Sequence, residues 1–153
     1  MLSSVPSTPA VIGRVMRLPP SLVIRSLGSS LHYAPAMAME WGQVNVDAAD
    51  AVALGRWWAE ALGWVVVNDA ADEFEIRPEK DRLPGLIFAP VPEGKTVKNR
   101  LHLDFRPDDQ DAEVDRLLAL GARRVDVGQG EQTWVVLADP EGNEFCVLRS
   151  RAA

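Results

Sequence analysis

The chain has 153 residues, 47% hydrophobic and 25% charged, with one cysteine and a formal net charge of −6. That is the size of one domain, or of two half-domains sharing a core, with the composition of an ordinary globular protein. A lone Cys146 rules out an intrachain disulfide framework and suits a reducing, cytoplasmic setting, and no apolar run approaches the roughly 20 residues of a membrane-spanning helix.

Charge is distributed unevenly. Residues 1–39 carry Arg14, Arg17 and Arg25 and no acid, whereas residues 40–153 hold all 22 acids against 13 bases, a net of −9. A domain that acidic argues against nucleic-acid binding, which relies on basic contacts to phosphate. The first stretch is rich in Ser, Pro and Ala and has no period that would bury a face. Arg14, Arg17, Pro19, Pro20 and Arg25 interrupt any secretory apolar region. An organellar transit peptide fits its composition; so does a start assigned too early, with the natural protein beginning at Met37 or Met39, and the latter is preferred. Either way residues 1–38 are expected to be a disordered or loosely attached extension, with the working domain at 39–153.

The first strand is expected over Trp41–Val46. A helix follows, in which Leu54, Trp57, Trp58, Ala61 and Leu62 form one apolar stripe. Asp47 or Asp50 caps its start, and Gly63 stands where a left-handed residue ends a helix. Strands are expected at Val65–Val67, Glu73–Ile76 and Leu86–Phe88. The linker-like Pro90-Val91-Pro92-Glu93-Gly94 leads to a strand over Arg100–Phe105. Val114, Leu117, Leu118 and Gly121 then repeat the helical spacing, with Asp108, Asp109 or Asp111 as cap. Three more strands are expected at Arg124–Val127, Trp134–Leu137 and Glu144–Leu148, the last two joined by a tight turn at Asp139-Pro140-Glu141-Gly142-Asn143.

The same order of elements therefore occurs twice. Gln43 and His102 are 59 residues apart, and the Ala-Leu-Gly triplets that close the two helices are 58 apart. Two copies are too few for a solenoid. The pattern predicts an α+β fold of two βαβββ modules, about 40–92 and 98–150, whose curved sheets share a pocket.

Alternation along each strand assigns faces. Val44 and Val46 point to their helix, and Gln43 and Asn45 point away. Leu101, Leu103 and Phe105 take the helix side in the second copy, leaving His102 and Asp104 opposite. Phe145 and Val147 likewise leave Glu144 and Cys146 on the polar face. Gln43, Asn45, His102, Asp104, Glu144 and Cys146 are thus the expected pocket residues, a few convergent polar groups of the kind that mark ligand sites. His102 is the one histidine of residues 40–153 and the candidate acid or base. Asp104, on the same face, is its candidate orienter. Cys146 acts as a nucleophile only if its thiolate is stabilised.

The paired modules, the Ala61-Leu62-Gly63-Trp64 helix end, the Lys98–Asp104 segment and the Asp139–Asn143 turn before Glu144–Leu148 resemble the vicinal oxygen chelate superfamily. More narrowly, they resemble glyoxalase-like domain proteins of high-GC bacteria. The resemblance covers residues 40–150. It implies the fold, a small organic ligand and a possible homodimer; glyoxalases, dioxygenases, epimerases, thiol transferases and bleomycin-binding proteins share that superfamily. It also implies a divalent-metal site at Gln43, Ala89, His102 and Cys146. Here the chain departs from the pattern, because Ala89 has no donor and Cys146 stands where a glutamate is usual. Gln43 and His102 remain as weak metal candidates, too few for a catalytic zinc or a hard octahedral ion. The reading favours a small-molecule binding protein with no cofactor and no nucleic-acid or membrane partner. The alternative is a small lyase, isomerase or dioxygenase-type enzyme using His102 with or without a weakly held metal.

Overall fold

In a computed structural model of the chain, the described residues are 40–150 together with the backbone of two short strands, β1 (Val23–Leu27) and β2 (Ser30–Ala34). The chain divides into two compact units, residues 1–40 and 41–153. In the first, β1 and β2 pair antiparallel, Val23 opposite Ala34 and Leu27 opposite Ser30. The sequence pattern placed no element there. The rest of the extension expected at 1–38 lies outside the described residues.

The second unit runs β3 (Gln43–Ala48), α1 (Ala51–Leu62), β4 (Val65–Asp69), β5 (Phe74–Arg77) and β6 (Gly85–Pro90), then β7 (Leu103–Phe105), α2 (Gln110–Leu120), β8 (Arg123–Arg124), β9 (Val135–Ala138) and β10 (Glu144–Val147). Each copy makes its own four-stranded sheet with the same topology, β3-β6-β5-β4 and β7-β10-β9-β8. In each, the first strand pairs parallel with the last and the other pairings are antiparallel. The two βαβββ modules are therefore present as expected.

Local chemistry fixes the helix ends. Asp50 and Asp109 accept from the backbone N–H of Ala53 and Ala112, the N-cap geometry that satisfies an orphan donor. Gly63 and Gly121 close the helices at φ 65° and 113°, where a side chain would be strained. The apolar stripe of α1 is buried as its spacing requires, with Trp58 only 3% exposed. Each of its two buried tryptophans contributes about 2–3 kcal/mol from apolar area.

One core serves both modules. The Trp58 ring lies 5.6 Å from Phe105 and 5.0 Å from Phe145, so a helix of the first copy packs on strands of the second. Polar ties reinforce the seam: Trp57 Nε1 donates to the Leu120 carbonyl at 3.1 Å, and Trp58 Nε1 to Asp139 Oδ2 at 3.1 Å. The turn expected at Asp139–Asn143 does more than reverse the chain. Asp139 Oδ1 accepts from the backbone of Glu141 and Asn143, closing the turn on itself. Glu141 reaches across to accept the N–H groups of Ala49 and Asp50, both at 2.8 Å, where the start of α1 favours a negative charge.

Several boundaries differ from the periodicity reading. The seventh strand begins only at Leu103, and Leu101, expected on the helix side, is 87% exposed. The chain there is still leaving the irregular inter-module segment 91–102, whose polar contacts, described below, override alternation. Likewise β8 is confined to Arg123–Arg124, and Trp134 precedes β9 in a loop ordered by its own side chains, with Gln129 accepting from Val127 N and Asp126 from Gly128 N.

Candidate functional site

The polar face of the second sheet is assembled by its register. Cys146 pairs with Asp104 on one side and Val136 on the other, so these three stand in one row. Glu144, two residues earlier on β10, shares that face, and His102, in the segment just before β7, lines the same cavity. A cavity of about 270 Å³ opens here, with His102, Glu144, Cys146 and Val136 on the sheet side, Trp134 and Val127 from the loop, and Lys98.

Each group in this row has a defined partner. The His102 Nε2 meets the Asn99 carbonyl at 3.1 Å and therefore acts as donor, leaving Nδ1 as the variable nitrogen. Asp104, expected to orient the imidazole, instead hydrogen-bonds the Cys146 thiol. Burial first, then that hydrogen bond and the Asp104 charge, push the thiol from the ordinary 9.0 to about 11, against an opposing pull from Lys98. The thiolate that nucleophilic or metal-binding chemistry requires is thereby disfavoured.

Glu144 is held differently. Its carboxylate takes Lys95 Nζ at 2.9 Å and the Asn99 N–H at 3.0 Å. Burial opposes ionisation, but these hydrogen bonds and the lysine charge outweigh it and hold the carboxyl below its ordinary value. Sequence reasoning missed Lys95 and Asn99, since they sit in a segment with no period and act on a residue 45 or more positions away. Glu144 thus anchors the segment that joins the modules.

That segment also roofs a second cavity, about 480 Å³, lying between the open edges of β3 and β7. Asn45 and Glu144 line it, above a floor that includes Trp58, Leu103 and Phe145. Three of its five carboxylates, Asp139, Glu141 and Glu144, are engaged in the contacts given above, which marks part of this wall as module seam; Asp47 and Glu93 are the other two.

The six expected pocket residues are thus divided. His102, Glu144 and Cys146 line one cavity with Asp104 beside them, Asn45 and Glu144 line the other, and Gln43 lines neither. Gln43 and Asn45 lie on the polar face of the first sheet, in rows with Gly85 and Ile87. Glu75 and Arg77 occupy that face too, as an ion pair. Alternation did carry the signal for Glu75, because Phe74 and Ile76 flank it toward the helix.

The metal positions implied by the resemblance do not form a donor set. Ala89 offers no donor, Cys146 keeps its proton, and Gln43 and His102 belong to different modules, Gln43 on β3 and His102 just before β7. Among the described residues there is no cluster of three or more His, Cys, Asp or Glu able to hold an ion. The residues present do not fit the group.

Solved structures share this architecture. A glyoxalase/bleomycin resistance protein/dioxygenase family enzyme from Burkholderia phytofirmans PsJN is 19% identical, with a TM-score of 0.55 over 71% of this chain and 97% of that one. A bleomycin resistance determinant encoded on the transposon Tn5 is 16% identical, with a TM-score of 0.51 over 74% and 100%. The oxidase ChaP-H1 is 23% identical, with a TM-score of 0.54 over 74% and 98%. At these identities the likeness is one of fold. No curated protein matches the sequence. The glyoxalase-like domain family matches residues 43–148, which span both modules, and the chain belongs to that family.

Proposed function

We propose that the protein binds a small organic molecule at the polar face of its second sheet and does so without a tightly held divalent metal. The observation that carries this reading is the cavity of about 270 Å³ in which His102, Glu144 and Cys146 converge beside the apolar walls of Trp134, Val127 and Val136. Its donors suit hydrogen bonding and not metal ligation, because the thiol is protonated and the carboxylate is matched by Lys95. The cytoplasm, where a free thiol survives, is the compartment that fits.

The test is a thermal-shift panel of small ligands on the full chain, with and without chelator. Stabilisation by organic ligands that is lost in His102→Ala and indifferent to chelation supports the reading. A fall of many degrees in melting temperature on chelation alone would sink it. A second reading, a small lyase or isomerase, is favoured by the free Nδ1 of an exposed His102, which can accept a proton from a bound substrate. Catalytic turnover that is lost with His102 would favour it over simple sequestration.

The partner proposed is a second copy of the chain. Among the described residues the edges of β3 and β7 are unpaired in the two open sheets, and Trp41 (67% exposed) and Leu101 (87%) precede them. Open, apolar-flanked edges invite pairing. Joining the first sheet of one protomer to the second of its partner would bring Gln43 and Asn45 toward His102. Light scattering should give twice the chain mass, and Trp41→Glu together with Leu101→Glu should yield a folded monomer. A monomeric wild type at high concentration would rule the assembly out.

A further inference from the structure

We infer that residues 92–102 form a strap that opens as a unit over the larger cavity, with Glu144 as the one latch that holds it shut. This goes beyond the binding reading above and does not rest on it.

The backbone carries the first part of the argument. The strap runs from Val91, whose N–H is bonded to the Ala48 carbonyl, to Leu103, where β7 begins its pairing with β10. That is long for a connection within one domain, where about 4–6 residues are usual. Among the described residues, no backbone–backbone hydrogen bond starts or ends within it. Its apolar side chains do not compensate. Val97 and Leu101 are exposed, and neither packs against the core. A segment with so little buried apolar contact sits at the low end of local stability.

What closes it is polar and concentrated on one residue. Lys95 Nζ and the Asn99 N–H both meet the Glu144 carboxylate, and the Asn99 side chain donates to the Glu144 carbonyl at 3.4 Å. Among the described residues the strap's one other hydrogen bond, from His102 Nε2 to the Asn99 carbonyl, is internal to it. The side chains of Lys95 and Glu144 are largely buried, so their charge-assisted bond is screened less than a surface pair. Release costs these bonds and little else. Glu144 lines both cavities, so water can replace the departing donors.

Position gives the strap its role. Gly94, Lys95, Asn99 and Leu101 cover the cavity of about 480 Å³, whose floor includes Val46, Trp58, Leu103 and Phe145. Lys98 and His102 face the smaller cavity on the other side. The strap is therefore a gate. Closed, it shields an apolar floor; open, it admits a small apolar molecule and moves the wall of the neighbouring cavity.

Hydrogen exchange on the full chain tests the latch. The Asn99 amide, bonded to Glu144, should exchange about ten-fold faster in Lys95→Gln, although Lys95 is not its partner. Glu144→Gln should do at least as much. Amides of β6 and β10 should keep wild-type protection in both variants. Tryptic cleavage after Lys98 and Arg100 should accelerate in the same proportion, because proteolysis tracks the open population. Nile red, a neutral apolar dye, should gain fluorescence with each variant and little with wild type. An Asn99 amide indifferent to Lys95→Gln would overturn the latch. Faster exchange throughout β6 and β10 would overturn it equally, by showing that these bonds hold the whole domain and not a strap. Faster strap exchange with no rise in Nile red fluorescence would overturn the gate, since the strap would then cover no accessible cavity. If Glu144→Gln does not fold, Lys95→Gln carries the test alone.

Discussion

Cys146 shows how one side chain changes meaning between sequence and structure. On a polar face beside a histidine it reads as a nucleophile or a metal ligand. In the structure Asp104 faces the thiol and His102 turns to Asn99, so burial and a neighbouring carboxylate raise the thiol to about 11. At neutral pH it therefore carries about a hundred-fold less thiolate than an ordinary cysteine. Alkylation by iodoacetamide should accordingly be slow at pH 8 and accelerate only as the pH approaches 11. The same shift links to stability. The folded state holds the proton more tightly than the unfolded one, so this contribution is complete below pH 9 and is lost as pH rises from 9 to 11. Cys146→Ala should therefore flatten the fall in melting temperature across that window relative to wild type. Equal slopes would show that the thiol is not perturbed. Alternation identified the face of Cys146 correctly, but which neighbour it bonds depends on pairing between β7 and β10, and no local pattern encodes that.

The elements themselves were legible where period and caps agree. The stripe of α1, the aspartate caps and the closing glycines are local signals, and both helices lie where they were expected. Legibility failed where tertiary contacts set the backbone: Lys95 and Asn99 fasten the inter-module segment to Glu144, and β7 starts late as a result. Gly55, in the middle of α1, also carried an unread message. Helix propensity alone says that alanine there should stabilise by about 1 kcal/mol. A Cβ at this position, however, would overlap the ring of Phe74 on β5, and that ring is fully buried with no room to retreat. Overpacking of that kind costs about 1–3 kcal/mol and often more, so it should exceed the gain. Gly55→Ala is expected to lower stability by about 1–2 kcal/mol in urea unfolding. A more stable variant would mean that α1 can lift off its sheet without loss.

At the scale of the molecule, the duplication could be read from spacing alone, but the way the copies join could not. A pocket shared by matching strands was the expectation, and the matching strands β3 and β7 do border one cavity. The structure also joins the copies through a common core, with Trp58 of one module seated on Phe105 and Phe145 of the other, and divides the expected polar residues between that cavity and a second one. The decisive residue in that seam is Asp139, fully buried at 0% exposure. Its carboxylate accepts from the Trp58 indole, the Asn143 side chain and the Glu141 and Asn143 backbone, so it fastens the second module to the first while closing its own turn. A buried carboxylate with four donors offsets its desolvation, whereas its removal strands all four. Asp139→Ala should cost about 3 kcal/mol or more on that basis. Because the core is shared, the loss should move the whole transition and not split it: circular dichroism and tryptophan fluorescence should still report a single, coincident unfolding of both modules at lower denaturant. Two separated transitions, one for each module, would show that the halves fold independently and that the Trp58–Asp139 seam only docks them.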